Sequence, residues 1–82
     1  MRQEIDVLYF AVFQDFTKKI QETLTLSEGM TARSLYQELT KRYSFPLSTD
    51  QLRFAVNHLF ISADTPLKPG DIVAFIPPVS GG

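Results

Sequence analysis

The chain closes on Pro77-Pro78-Val79-Ser80-Gly81-Gly82, and its terminal glycine is the residue best suited to chemistry. Gly82 has no side chain, so its α-carboxylate stands on a thin stem. Gly81 can take backbone angles denied to other residues, so the end can lie flat in a narrow tunnel of another protein. A carboxylate with a pKa of about 3.5 is ionised at neutral pH and is a poor electrophile. It reacts only after activation, for which ATP is the ordinary source. The tail is therefore expected to be a substrate presented to other proteins. Terminal Gly-Gly also arises by chance in roughly one chain in 200 at ordinary glycine usage, so the pair needs support from the rest of the sequence.

No other residues compete for a catalytic role. His58 is the single histidine and falls in a turn, whereas a metal site needs several clustered ligands. Ser62 and Asp64 lie near it in sequence, but without a nucleophile elbow or the spacing of a base and its orienter. The carboxylates are dispersed and most are expected to be solvated, with Asp71 serving a turn. The four glycines, Gly29, Gly70, Gly81 and Gly82, build no phosphate loop. No cysteine is present, which excludes disulfides, thiolate metal sites and a cysteine nucleophile. Any sulfur handled here must come from elsewhere. No bound cofactor or metal is expected.

Net charge is −1, and the basic residues form nothing longer than Lys18-Lys19 and Lys41-Arg42. That is too little to track a phosphate backbone, so nucleic acid is not an expected partner. The apolar run 7–13 is too short to span a membrane. Glu4 and Asp6 precede it, which is wrong for a signal peptide, and a cytoplasmic location is expected.

Eighty-two residues with 44% apolar content suit one small domain. Residues 4–11 read as a strand, apolar on both parities in its second half, as a central strand requires. Residues 12–19 read as a short helix or loop. Residues 20–26 alternate Ile20, Leu24 and Leu26 with polar positions, an edge-type strand in which Glu22 is out of place. Thr31 caps a helix over 32–43 with Ala32, Leu35, Leu39 and Tyr43 in one stripe; Ser34 stands where a capping box would want Glu or Gln. Residues 44–50 form a loop and 52–56 a third strand. Asn57-His58 turns into a short fourth strand, 59–61. Pro69-Gly70 suits a type II turn leading to the last strand, 72–76, which Pro77-Pro78 ends by removing two donors. The order describes an α+β sheet with one helix across one face, its first and last strands neighbours at the centre. The domain should occupy 1–76, with 77–82 as an extended tail reaching roughly 18–20 Å.

One helix leaves the other face of a five-stranded sheet bare. Arg53 and Asn57 must face water, which sends Phe54 and Val56 inward and Ala55 outward. Asp6 outward places Leu8 and Phe10 on its side. By the same alternation Phe60 lies outward between Leu59 and Ile61. Phe10, Phe60 and Ile76 are thus expected on the uncovered face, at the root of the tail, where an apolar patch marks an interface. Twisting strands or a covering loop would hide such a patch instead.

The stretches Leu52-Arg53-Phe54-Ala55-Val56-Asn57, 64–71 (DTPLKPGD) and 73–82 (VAFIPPVSGG) resemble the MoaD family, the small subunits of molybdopterin synthase, as do 7–11 (VLYFA) and the helix from Thr31 to Leu39. At 13–19 the chain departs from that pattern: Gln14-Asp15 replaces an Arg-Glu pair and no glycine follows. The resemblance implies a ubiquitin-like β-grasp, a five-stranded mixed sheet with one main helix on one face. It further implies a sulfur carrier, the non-catalytic sulfur-donating subunit of the synthase. A MoeB-type enzyme, consuming ATP, would adenylate the Gly82 carboxylate, and a sulfurtransferase system would convert it to a thiocarboxylate. The MoaE-like large subunit would admit Pro77, Pro78, Val79, Ser80 and Gly81 and use the sulfur to build the molybdopterin dithiolene from cyclic pyranopterin monophosphate. Positions matching Phe10, Phe60 and Ile76 would contact that subunit, in an assembly of two small and two large chains. The alternatives are a ThiS-like, thiamin-type carrier, a ubiquitin-like protein modifier joined through Gly82, and a plain interaction module.

Overall fold

The computed structural model describes residues 3–78. Its elements run β1 (Glu4–Tyr9), α1 (Val12–Thr17), β2 (Gln21–Thr25), α2 (Ala32–Tyr43), a 3-10 turn (Thr49–Gln51), β3 (Arg53–Val56), β4 (Leu59–Ile61) and β5 (Ile72–Ile76). The strands form one sheet in the order β2-β1-β5-β3-β4. β1 and β5, the two runs apolar on both faces, pair in parallel at its centre, and the remaining pairings are antiparallel. This mixed five-stranded sheet with one main helix is the β-grasp arrangement that the sequence implied.

Alternation assigns the faces as expected. Ile5, Val7 and Tyr9 of β1, Phe54 of β3 and Val73 and Phe75 of β5 are buried against Ala32, Leu35, Tyr36 and Leu39 of α2. Aromatic rings fill the centre: Phe13 of α1 meets Phe45 edge-on at 5.1 Å, and Tyr36 meets Phe75 edge-on at 5.0 Å. Such contacts add to simple area burial because the positive edge of one ring meets the negative face of the next. Phe45 lies in the stretch read only as a loop, yet it is buried and helps close the core.

Local details differ from the sequence reading where side chains do what propensity does not encode. Ser34 completes the capping box of α2: Thr31 N–H donates to Ser34 Oγ (2.9 Å) and Ser34 N–H donates to Thr31 Oγ1 (3.1 Å). A hydroxyl can close the box as well as a Glu can. Ile20 precedes β2 and is 73% exposed, so the inward row of that strand is Glu22, Leu24 and then Leu26. Within 13–19 the chain continues α1, which ends at Thr17 with Lys18 as its cap in the left-handed region (φ 61°). That is the position a glycine would fill without strain. Asp71 serves the turn as expected and has a second partner beyond it. It is buried, accepting from Lys68 N–H (2.7 Å) and Asn57 Nδ2 (3.0 Å), and so pins the Pro69-Gly70 turn to the Asn57-His58 turn.

Glu22, seemingly misplaced on an inward position, is an acceptor hub. Tyr9 Oη donates to its Oε1 at 2.7 Å and Tyr43 Oη at 2.9 Å, while Lys19 Nζ donates to Oε2 at 3.1 Å. Arg42 adds an ion-pair contact at 3.6 Å. Burial pushes the Glu22 carboxyl up, but the bonds from Tyr9, Lys19 and Tyr43 outweigh it, and the net displacement is below the usual carboxylate range. Burial, then the bond to Glu22, raises the Tyr9 hydroxyl far above its ordinary value, so it stays a donor. Because the folded carboxyl is the stronger acid, Glu22 stabilises the fold fully above its unfolded pKa of about 4.3, and loses that effect as pH falls through the lower folded value. Glu22→Ala, which leaves the Tyr9 hydroxyl without its acceptor, should cost about 2 kcal/mol at neutral pH. Urea unfolding should show the gap from the wild type narrowing below about pH 4. A gap that does not change with pH would contradict this role.

Candidate functional site: the open sheet face and the root of the tail

Strand register builds the site directly. On the face away from α2, Leu8 lies beside Ala74, Ala74 beside Ala55, and Ala55 beside Phe60, one row across four strands. In the next row Ile76 lies beside Arg53, and Phe10 follows the last residue of β1. The two alanines form a floor between bulkier neighbours. Although they point away from the helix, Ala55 and Ala74 are buried by the side chains around them. The result is an apolar concavity of about 260 Å³ bordered by Phe10, Phe60, Ile72 and Ile76. Phe10 and Phe60 remain 43% and 65% exposed. Among the described residues no loop covers this concavity, so the three aromatic and aliphatic positions singled out in the sequence stand together on one open face.

Backbone geometry holds the rim in place. Ala11, directly after Phe10, has φ 51° and ψ −124°, a conformation that costs a residue with a Cβ about 1–3 kcal/mol. This kink ends β1 and fixes where Phe10 leaves the sheet. At the opposite rim Asn57 and His58 both have positive φ (52° and 73°), the type I′ geometry that matches strand twist and delivers Phe60 two residues later. His58 is exposed and borders the same concavity, a placement that its turn position alone did not reveal.

The root of the tail adjoins this patch. β5 ends at Ile76, and Pro77 and Pro78 lie outside any strand. They border a second concavity together with Asp50, Leu52, Arg53, Phe60 and Ile76. The guanidinium of Arg53 sits over the Phe60 ring, 5.5 Å from its centroid. Val79, Ser80, Gly81 and Gly82 lie outside the described residues. The remaining polar candidates have structural partners: Asp64 is held by Arg33 (2.9 Å) and its N–H donates to Ser62 Oγ (3.2 Å). These bonds shape the loop after β4 and create no nucleophile and base pair. Among the described residues no group of three or more His, Asp or Glu could hold a metal ion, and no helix is long and apolar enough to cross a membrane.

Comparison with known proteins decides the family. A model of the ThiS family matches residues 7–82. The molybdopterin synthase sulfur carrier subunit of Escherichia coli K12 is 36% identical over 81 residues, covering 95% of this chain and 99% of that one. The chain belongs to the ThiS family, with the molybdopterin synthase sulfur carrier subunits. Among solved structures, subunit 1 of a molybdopterin converting factor from Pyrococcus furiosus is 33% identical with a TM-score of 0.77, covering 93% of this chain and 98% of that one. A chain from the complex of subunits 1 and 2 of the Helicobacter pylori molybdopterin-converting factor shares the fold at 24% identity and a TM-score of 0.66, with coverage of 96% and 99%. The family match includes the tail through Gly82 and spans every residue of the open-face patch.

Proposed function

We propose that this protein is the sulfur carrier subunit of molybdopterin synthase and that Gly82 carries the sulfur. The observation that bears most weight is the family match running through Gly82, joined to 36% identity along nearly the whole of a named sulfur carrier subunit. Adenylation by a MoeB-type enzyme consumes ATP, releases pyrophosphate and turns one carboxylate oxygen into part of an AMP leaving group. Sulfur delivered by a sulfurtransferase system then takes that oxygen's place, leaving a thiocarboxylate. The tail 77–82 carries it into a MoaE-like large subunit, where it is donated to cyclic pyranopterin monophosphate as the dithiolene forms. On this reading the domain, 1–76, supplies no catalytic side chain of its own. It supplies a grip, with Phe10, Phe60 and Ile76 seated on the large subunit, in a cytoplasmic assembly of two small and two large chains.

The layout supports this reading because the grip and the tail share a root. A subunit that docks on the open face receives the tail beside it, and six extended residues reach roughly 18–20 Å. The test is the intact mass of the purified chain after expression with its activating enzyme and a sulfur source. A shift equal to sulfur replacing one oxygen, located to Gly82 by fragmentation, is expected. An unchanged mass, or attachment of Gly82 to protein lysines with no thiocarboxylate, would overturn the proposal.

A further inference from the structure

We propose that Arg53 is a charge-recognition residue of the open sheet face, and that the partner surface docking there places a carboxylate beside it. The identity of the partner rests on the sulfur-carrier reading above; the chemistry rests on the geometry of Arg53. Register puts Arg53 opposite Ile76, the last strand residue before Pro77, and its guanidinium lies over the exposed Phe60 ring. The other described arginines are committed: Arg33 to Asp64 and Arg42 to Glu22. Arg53 pairs with no carboxylate among the described residues, although Asp50 borders the same concavity. The charge on the far side of this face, Asp6, is already engaged by Thr23 Oγ1 at 2.7 Å.

An apolar seat whose rim carries, among the described residues, an arginine with no carboxylate partner is complementary to an apolar surface bearing an anion. The cation–π contact with Phe60 biases the guanidinium toward this face without using its N–H donors on a carboxylate, so part of the side-chain freedom lost on pairing is already restricted. Docking over Phe60 and Ile76 would strip water from the same spot. An unpaired guanidinium would oppose that docking, and a carboxylate would favour it. Arg53 would thus set both the choice of partner and the register in which the tail root meets it.

The test uses the full chain and the purified large subunit of molybdopterin synthase from the same organism, with association and dissociation rates followed across ionic strength. Arg53→Glu should weaken binding about 100-fold, and Arg53→Met, which keeps the stem over Phe60, about tenfold. Association of the wild type and of Arg53→Lys should slow with salt, whereas that of Arg53→Met should not. Unfolding midpoints should be unchanged throughout, since Arg53 is exposed. Wild-type binding that Phe60→Asp breaks but Arg53→Glu leaves intact would overturn this inference alone. Loss in Arg53→Met with the wild-type salt dependence preserved would assign the effect to packing and overturn it as well. A wild-type chain that does not bind the large subunit would overturn the sulfur-carrier reading itself.

Discussion

Deleting Gly82, or extending the chain beyond it, is expected to abolish thiocarboxylate formation while leaving the unfolding midpoint in place. The chemistry demands the first outcome. In the proposed mechanism the reacting group is the α-carboxylate of Gly82, and an added residue would turn it into an amide, which has no acidic oxygen to present to ATP. Deleting Gly82 moves the carboxylate to Gly81 and shortens the reach by one residue, about 3.3 Å. That is enough to misplace a reacting atom that must lie within bonding approach of its target. The second outcome follows from where the core lies. Among the described residues, the buried hydrophobic residues of the core cluster run from Ile5 to Phe75, so a change six residues beyond Ile76 removes none of these side chains. The effect on stability should be within about 0.5 kcal/mol, the range for substitutions away from packed features. Intact mass reads the first arm and thermal unfolding the second. An extended protein that supports molybdopterin synthesis without first being trimmed would sink the mechanism.

The sequence exposed the fold where a period was clean, and hid it where a polar side chain had a distant partner. Strand alternation has a period of two, so fixing Asp6 and Arg53 in water determined the orientation of Tyr9 and Phe54, and left Phe60 free to lie outward in the next strand. The stripe of α2 was legible for the same reason. Glu22 was not, because its inward position makes sense only once the fold brings Tyr9 and Tyr43, 13 and 21 residues away, to the same carboxylate. Asp71 was legible as a turn residue, but its second partner was not: Asn57 lies 14 residues away. Phe45 lies beyond the helix pattern, and nothing local marks it as core. At the candidate site, parity located Phe10, Phe60 and Ile76 on one face. It carried no signal for the alanine floor as a buried surface, for His58 at the rim or for the stacking of Arg53 on Phe60. A histidine and an arginine look solvated in any one-dimensional reading, and only register across strands shows what they stand beside.

Two substitutions of the same kind separate grip from core. Phe60→Asp should leave the monomer folded, with stability changed by about 1 kcal/mol or less, because Phe60 is 65% exposed and its neighbour across the strands, Ala55, lies on the open face outside the main core cluster. Its stack with Arg53 is lost, and the new carboxylate stands near that guanidinium in partial replacement. Binding to the large subunit should nevertheless fall by about 100-fold or more, since a charge would be carried into the centre of an apolar contact. Leu39→Asp places the same carboxylate where the side chain is 2% exposed, under the sheet and on the inward stripe of α2. The basic residues that follow it in the helix already have partners: Arg42, three residues on, contacts Glu22, and Lys41 pairs with Glu38. An unpaired buried charge costs several kcal/mol, against a total stability of about 5–10 kcal/mol for a domain of this size. Leu39→Asp should therefore unfold much of the population. Circular dichroism and urea titration of both variants give the comparison, with the binding assay run on Phe60→Asp. If Phe60→Asp unfolds as Leu39→Asp does, then Phe60 belongs to the core and the open face is not a docking surface. If Phe60→Asp stays folded and binds as the wild type does, the partner grips some other part of the molecule, and the nearness of the patch to the tail is not what guides Gly82 to its acceptor.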